Sequence, residues 1–323
     1  MSELKKLSPK ECAQRLTSLK KVTVIMHARP DGDTVGSASA LLKILKQLGA
    51  DAKYACADKI PDRLAFLLQG ENETLDFADG ELVAVDVASA TQLGALAHLS
   101  EKIVLTVDHH AFNTPFSDNL TVPDASSAGE VVLEVMDELI KMEKASITKE
   151  IAYPLYAAIS SDTGGFLFSS ASAKTYRRAA ELIETGIDFS DINHRLFHSK
   201  SNEQIKAEGF IASKLKTRAD GRIAYATLSK EERLNSGANP EHFETAIDVI
   251  RSLNFAEIAL FVRENDDGTL KASIRSTGAN VAEIAAQIGG GGHVRAAGCS
   301  PKADSAEAGA ELLLTRLEEL FAN

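Results

Sequence analysis

The stretch Val22-Thr-Val-Ile-Met26-His27-Ala-Arg-Pro-Asp31-Gly-Asp33 decides how the chain is read. A continuous apolar and β-branched run matches a buried strand, and here it ends on an imidazole. Pro30 and Gly32 then enforce a turn that faces two carboxylates and His27 toward one small volume. Residues 34–48 continue with helical spacing and are closed by Gly49, a natural C-terminal cap. Strand, acidic turn and helix together predict the opening unit of a parallel α/β domain.

Working outward, residues 82–85 and 103–107 are predicted as further buried strands. Each stops at metal-capable side chains: Val85 runs into Asp86, and Val107 into Asp108, His109 and His110. In an open parallel sheet the ligand crevice lies outside the carboxyl ends of the strands, so these residues are expected to converge. Asp162 adds a further carboxylate, in Ser160-Ser-Asp162-Thr-Gly164-Gly165 at the end of an apolar stretch.

The rest of the chain fits two domains, since 323 residues exceed what one hydrophobic core usually organises. Ser8, Pro9 and Glu11 spell a capping box for a first helix. Residues 130–144 and 173–185 are also predicted helical, the second closed by Gly186, and Pro154 is expected to start or kink a helix. A first domain is assigned to residues 1–190, a polar helical linker to 191–217, and a smaller α/β domain to 218–323. In the last of these, residues 222–228, 257–262 and 270–275 are strand candidates and 240–253 a helix. Asp266-Asp267-Gly268 marks a hairpin turn.

Composition narrows the function. Thirty-five Lys+Arg against 46 Asp+Glu give a net charge of −11, the wrong sign for gripping long nucleic acid, so long DNA is not expected as a partner. A short nucleotide in a locally positive pocket is compatible with that total. No apolar run reaches the roughly 20 residues of a membrane span, and the lysine-rich start lacks an apolar signal core, so a cytoplasmic protein without membrane association is expected. Cys12, Cys56 and Cys299 have neither zinc-site nor disulfide spacing and are read as reduced thiols.

A donor set of carboxylates and imidazoles without thiolate favours Mn²⁺, Mg²⁺ or a similar ion over structural zinc, and Mn²⁺ suits the mixture best. With Asp86 as a bridge there are donors for two divalent ions about 3.5–4 Å apart, the arrangement that activates water against a phosphoryl group. Ser273-Ile-Arg275-Ser276-Thr-Gly278 places an arginine at a strand end, where its fork could hold a phosphate or carboxylate bidentately. The run Gly289-Gly290-Gly291-Gly292 before His293 would let backbone N–H groups approach an anion. Taken singly, these features have plainer readings: Asp-Gly-Asp as a surface turn, the glycines as a linker, Arg275 as a surface ion-pair partner. His98, His194, His198 and His242 are left as ordinary residues. The shared strand-end placement of the others is what favours a metal hydrolase.

Read in order, these motifs resemble the DHH phosphoesterase superfamily, and the Gly289-to-Gly298 tail resembles its DHHA1 subclass. The resemblance spans nearly the whole chain. It implies one Mn²⁺ held by His27, Asp31 and Asp86 and a second by Asp33, Asp86, His109 and Asp162. It further implies that His110 contacts the scissile phosphate, that Asp108 orients the histidines, and that Arg275, Ser276, Gly290, Gly291, Gly292 and His293 bind the substrate. Stand-alone members of this size degrade very short RNA and dephosphorylate 3′-phosphoadenosine 5′-phosphate (pAp), while other relatives hydrolyse cyclic dinucleotides or their linear products. The expected partners are therefore a short RNA or small nucleotide, with a homodimer allowed, and the two domains are expected to close on the substrate. A catalytically silent nucleotide-binding module would show a broken ligand set, whereas all six implied ligands are present.

Overall fold

The computed structural model describes residues 4–77 and 80–321. The chain divides into two compact units, one up to Ser199 and one from Lys200 onward. In the first, α1 (Pro9–Ser18) starts at the expected capping box: Ser8 N donates to Glu11 Oε2 at 2.8 Å, and Glu11 N donates back to Ser8 Oγ. Next come β1 (Lys21–Ile25), α2 (Gly32–Gln47), β2 (Asp51–Ala55), β3 (Glu81–Val85), β4 (Ile103–Asp108) and β5 (Asn119–Thr121). The strands form an all-parallel sheet in the order β2-β1-β3-β4-β5. Strand order reverses between β1 and β3, which makes the carboxyl ends of those two strands the switch point of the sheet.

Both faces of this sheet are covered, which explains why its central strands read as unbroken apolar runs. Val22, Val24, Val83, Val85, Leu105 and Val107 face a core shared with the helices. Ile25, Leu82, Ala84 and Ile103 face Leu93, Leu96 and Leu99 from a 3₁₀ segment on the other side. The helical layer is completed by α3 (Ala128–Lys141), α4 (Lys149–Asp162), α5 (Ala173–Glu184) and the short α6 (Phe189–Asn193). At Gly36, α2 meets α4 so closely that a Cβ would lie 2.6 Å from the Pro154 carbonyl oxygen. Pro154, expected to start or kink a helix, does not begin one: it lies inside α4, where its missing N–H forfeits one helical hydrogen bond.

The second unit opens with α7 (Asn202–Ser213) and β6 (Lys216–Arg218). It continues through β7 (Ile223–Leu228), α8 (Lys230–Ser236), α9 (Ala246–Arg251), β8 (Ile258–Glu264) and β9 (Leu270–Ser276), then α10 (Val281–Ala286), β10 (Gly291–His293), β11 (Ala296–Cys299) and α11 (Ala306–Glu319). Its mixed sheet has the order β10-β11-β9-β8-β7-β6. One core packs α10 and α11 on Ile223, Ile258, Leu260 and Ile274. A second packs α7 and α9 on Ala224, Ala259 and Phe261.

Residues 191–217, assigned from sequence as a linker, are divided between the units. Residues 191–199 belong to the first, while α7 buries Ala207 and Ile211 in the second and β6 pairs with β7. The helix expected over residues 240–253 is broken into a 3₁₀ turn, Pro240–Phe243, and α9. Phe243 before the break and Ile247 and Ile250 after it pack into one core.

Candidate metal centre

The residues singled out at the strand ends come together. Asp31 is the N-cap of α2, and its Oδ1 accepts hydrogen bonds from Asp33 N at 3.0 Å and Thr34 N at 3.1 Å. That is the ordinary work of a capping aspartate, and it fixes the carboxylate beside the end of β1. Asp33, 2% exposed, points from the first turn of α2 to the start of α3. Its Oδ2 accepts from Ala128 N at 2.7 Å, and its Oδ1 accepts from Gly129 N at 3.1 Å and Ser37 Oγ at 2.9 Å. The positive end of a helix thus stabilises a buried carboxylate.

Asp86 comes directly after β3 with φ of +60°, a left-handed conformation that aspartate adopts more readily than most residues. Its backbone N donates to Val107 O at 2.9 Å, which ties the ends of β3 and β4. Its two carboxylate oxygens face different groups. Asp86 Oδ2 lies 3.4 Å from His27 Nε2, whereas Oδ1 lies 3.7 Å from His109 Nε2 and 3.6 Å from His110 Nδ1.

Each ring is oriented from behind. His27 Nδ1 sits 2.8 Å from Ala28 O and His109 Nδ1 3.3 Å from Ala125 O; a carbonyl only accepts, so in both rings Nδ1 carries the proton. The neutral ring then offers its Nε2 lone pair to the centre, the orientation typical of metal-ligating histidines. His109 Nε2 is 3.7 Å from Asp33 Oδ2, Asp86 Oδ1 and Asp162 Oδ2 alike. Asp162 ends α4 rather than a strand. His110 Nδ1 lies 2.7 Å from Oδ1 of the buried Asp108.

Three groups, His27-Asp31-Asp86, Asp33-His109-Asp162 and Asp86-His109-His110, each have ligand atoms within 4.8 Å of one another. Their electrostatics call for cations. Burial first, and then the negative charge of Asp86, holds the Asp33 carboxyl well above its ordinary range. Burial, then Asp31 and Asp86, pushes Asp162 up to about 8. Burial disfavours charge on His27, but the hydrogen bonds and charges of Asp31 and Asp86 outweigh it and raise the ring to about 11. Asp86 Oδ1 and Asp108 Oδ2 are buried without a hydrogen-bond partner. Protons crowd onto a site rich in unneutralised carboxylates; divalent ions would replace them and satisfy the orphaned oxygen of Asp86. The donors therefore fit oxygen- and imidazole-seeking divalent metals.

In the second unit, Arg275 pairs with Ala296 and Ala296 with His293 across three antiparallel strands. Directly opposed residues share a face, so Arg275 and His293 stand in one line on the same side of the sheet. Arg275 is partly buried and its guanidinium sits below its ordinary value, burial being the cause and Asp248 partly opposing it. Ser276 alternates to the other face, where its hydroxyl donates to Ala279 O at 2.5 Å. The glycine run is not a linker: Gly291–His293 is the edge strand β10, and a Cβ at Gly290 would collide with the Gly298 carbonyl oxygen. Sequence reasoning missed the backbone that holds the ligands, above all residues 125–129. The helix signal in Ser127, three residues before Glu130, could have pointed to it.

A parallel α/β unit with a histidine–carboxylate centre at its switch point, together with a mixed-sheet unit, defines a class that comparison with known proteins makes explicit. The DHH family, N-terminal domain, matches residues 21–159 and the DHHA1 domain matches residues 220–323. The chain belongs to the DHH family and is a phosphoesterase of its DHHA1-bearing branch. More particularly, it is 31% identical over 304 residues to the bifunctional oligoribonuclease and PAP phosphatase NrnA of Thermus thermophilus, covering 92% of this chain and 89% of that one. The protein of the same name from Bacillus subtilis is 28% identical over 282 residues, covering 86% and 89%. A solved exopolyphosphatase-related protein from Bacteroides fragilis shares the fold, with a TM-score of 0.87 at 22% identity and 98% of each chain covered.

Proposed function

We propose that the protein hydrolyses very short RNA and the 3′-phosphate of pAp, using two divalent ions, Mn²⁺ by preference. The observation that carries the reading is the division of Asp86, one oxygen toward His27 and the other toward His109. A carboxylate placed in this way suits a bridge between an ion at His27-Asp31-Asp86 and another at Asp33-Asp86-His109-Asp162. Such a pair supplies an activated water and polarises the phosphoryl group. Asp108 fixes the His110 ring through Nδ1, and His110 is assigned to the reacting phosphate. The substrates are those of the two activities named for the relatives, which match nearly the full chain. Three free, buried cysteines and the lack, among the described residues, of any helix long and apolar enough to cross a membrane support a cytoplasmic setting.

Purified protein with Mn²⁺ is to be assayed on pAp, RNA of a few nucleotides, cyclic dinucleotides and pyrophosphate. Turnover is expected on the first two and is expected to vanish in excess chelator. Full activity in chelator, or highest efficiency on cyclic dinucleotides or pyrophosphate, refutes the reading.

Arg275, with His293 and the Gly290, Gly291 and Gly292 edge, is proposed to bind a second anionic group of the substrate. Ser276, turned to the opposite face, is assigned a structural part in that strand end. Arg275→Ala is expected to raise KM about 10- to 100-fold, the loss of one charge-assisted hydrogen bond of about 1.5–3 kcal/mol. Mn²⁺ affinity, measured on the same variant, is expected to stay unchanged. A parallel fall in metal affinity would remove Arg275 from this role.

A further inference from the structure

Glu130 is wholly buried in the first turn of α3, and its side-chain hydrogen bonds and ion pair go to residues other than those of the metal centre. Its Oε2 accepts hydrogen bonds from Ser126 N at 3.1 Å, Ser126 Oγ at 2.7 Å and Thr175 Oγ1 at 3.1 Å. Its Oε1 pairs with Lys174 Nζ at 3.2 Å. An ordinary capping glutamate at this position would bond the N-cap residue itself, here Ser127. Glu130 instead reaches one residue further, to Ser126, and joins the segment before α3 to the first turn of α5.

That segment is the one behind two of the metal-centre residues. Ala125 O receives the His109 Nδ1 hydrogen bond, and Ala128 N and Gly129 N hold both oxygens of Asp33. His109 and Asp33 belong to the same group, with Asp162. The His27-Asp31-Asp86 group is oriented by other backbone: Ala28 O behind His27, and the first turn of α2 around Asp31.

Resting on the two-ion reading above, we propose that Glu130 is a positioning residue for one of the two metal subsites, that of Asp33, His109 and Asp162. By fixing residues 125–129 against α5 it sets the ring angle of His109 and the direction of the Asp33 carboxylate together. The other subsite does not depend on it. Partners that orient metal ligands typically change metal affinity about 10- to 100-fold when removed.

Calorimetric titration of the metal-free protein with Mn²⁺ alone tests this without any substrate. Glu130→Ala is expected to weaken one of two binding events about 10- to 100-fold and to leave the other within about twofold. Glu130→Gln, which keeps the shape and an accepting oxygen, is expected to restore most of the loss. Glu134→Ala is the control: Glu134 also pairs with Lys174 from α3, through a side-chain hydrogen bond that does not involve residues 125–129, so both events are expected to be retained. If Glu130→Ala does not fold, Thr175→Val removes one of the same hydrogen bonds, and a smaller weakening of the same single event is expected. Equal weakening of both events, no change in either, or the same effect from Glu134→Ala overturns the proposal. A parent protein that binds no Mn²⁺ overturns the two-ion reading itself, an outcome distinct from the others.

Discussion

Asp86→Ala is expected to lower kcat/KM on pAp by about 10³-fold or more, while Asp76→Ala stays within about twofold, because ion-based charge stabilisation is worth several kcal/mol and each 1.36 kcal/mol is tenfold. The contrast rests on position rather than on residue type. Asp86 stands at the carboxyl end of β3, is 2% exposed, and faces histidines from two ligand groups. Asp76 is exposed and lines a surface cavity with Lys21 and Asp51, the first residues of β1 and β2, at the opposite edge of the same sheet. Rates at saturating Mn²⁺ decide the matter, and equal losses would mean that Asp86 is not shared by the ions.

Stability provides a second, independent reading of the same variant. In chelator, Asp86 Oδ1 is a buried charge-bearing atom without a hydrogen-bond partner. Removing it relieves a desolvation cost of about 1–3 kcal/mol, but it also takes away the hydrogen bond and charge that raise the His27 ring, and alanine incurs roughly 1–2 kcal/mol at positive φ. The metal-free variant is therefore expected to melt below the metal-free parent, still in one cooperative transition, so its inactivity would not be a folding defect.

The centre was legible in the sequence because buried parallel strands announce themselves as apolar runs. β1, β3 and β4 lie inside the sheet, and the residue types where those runs stop name the chemistry. The two edge strands of that sheet carried no such signal. β2 is Asp-Ala-Lys-Tyr-Ala, half polar, and β5 is only Asn119–Thr121. Edge strands bury less and are kept short or charged, so periodicity fades where pairing is one-sided. The glycine run concealed β10 for a different reason: glycine has no side chain to show alternation, and Gly290 is there because backbone approaches it. Ser276 looked equivalent to Arg275 in the linear motif, and only the alternation of β9, fixed by its pairing with β8 and β11, separates their faces. Nor could the sequence show the backbone supports, since Ala125, Ala128 and Gly129 act through carbonyl and N–H groups that every residue but proline possesses.

Catalytic efficiency on RNA is expected to fall at least about tenfold as the strand lengthens from about two to about two dozen nucleotides, a span chosen to exceed the ~4–16 nucleotides of common single-strand binders. Proteins that hold long single strands combine a positive groove with aromatic platforms, each stacked base contributing about 1–3 kcal/mol. This chain has a net charge of −11, no tryptophan, and aromatic residues at only 6% of its length. Each added nucleotide brings another phosphate toward a surface of net negative potential, with few rings to compensate by stacking. A short substrate needs neither, since few further phosphates accompany the scissile one that the proposed metal centre would meet. Binding energy is then complete within the first few nucleotides, and each later nucleotide adds repulsion without attraction. Because the repulsion is between charges in water, raising the salt should narrow the gap between short and long strands. Equal kcat/KM across the series, at low salt where repulsion is strongest, would refute this end-anchored account and point to an exonuclease that tracks long strands.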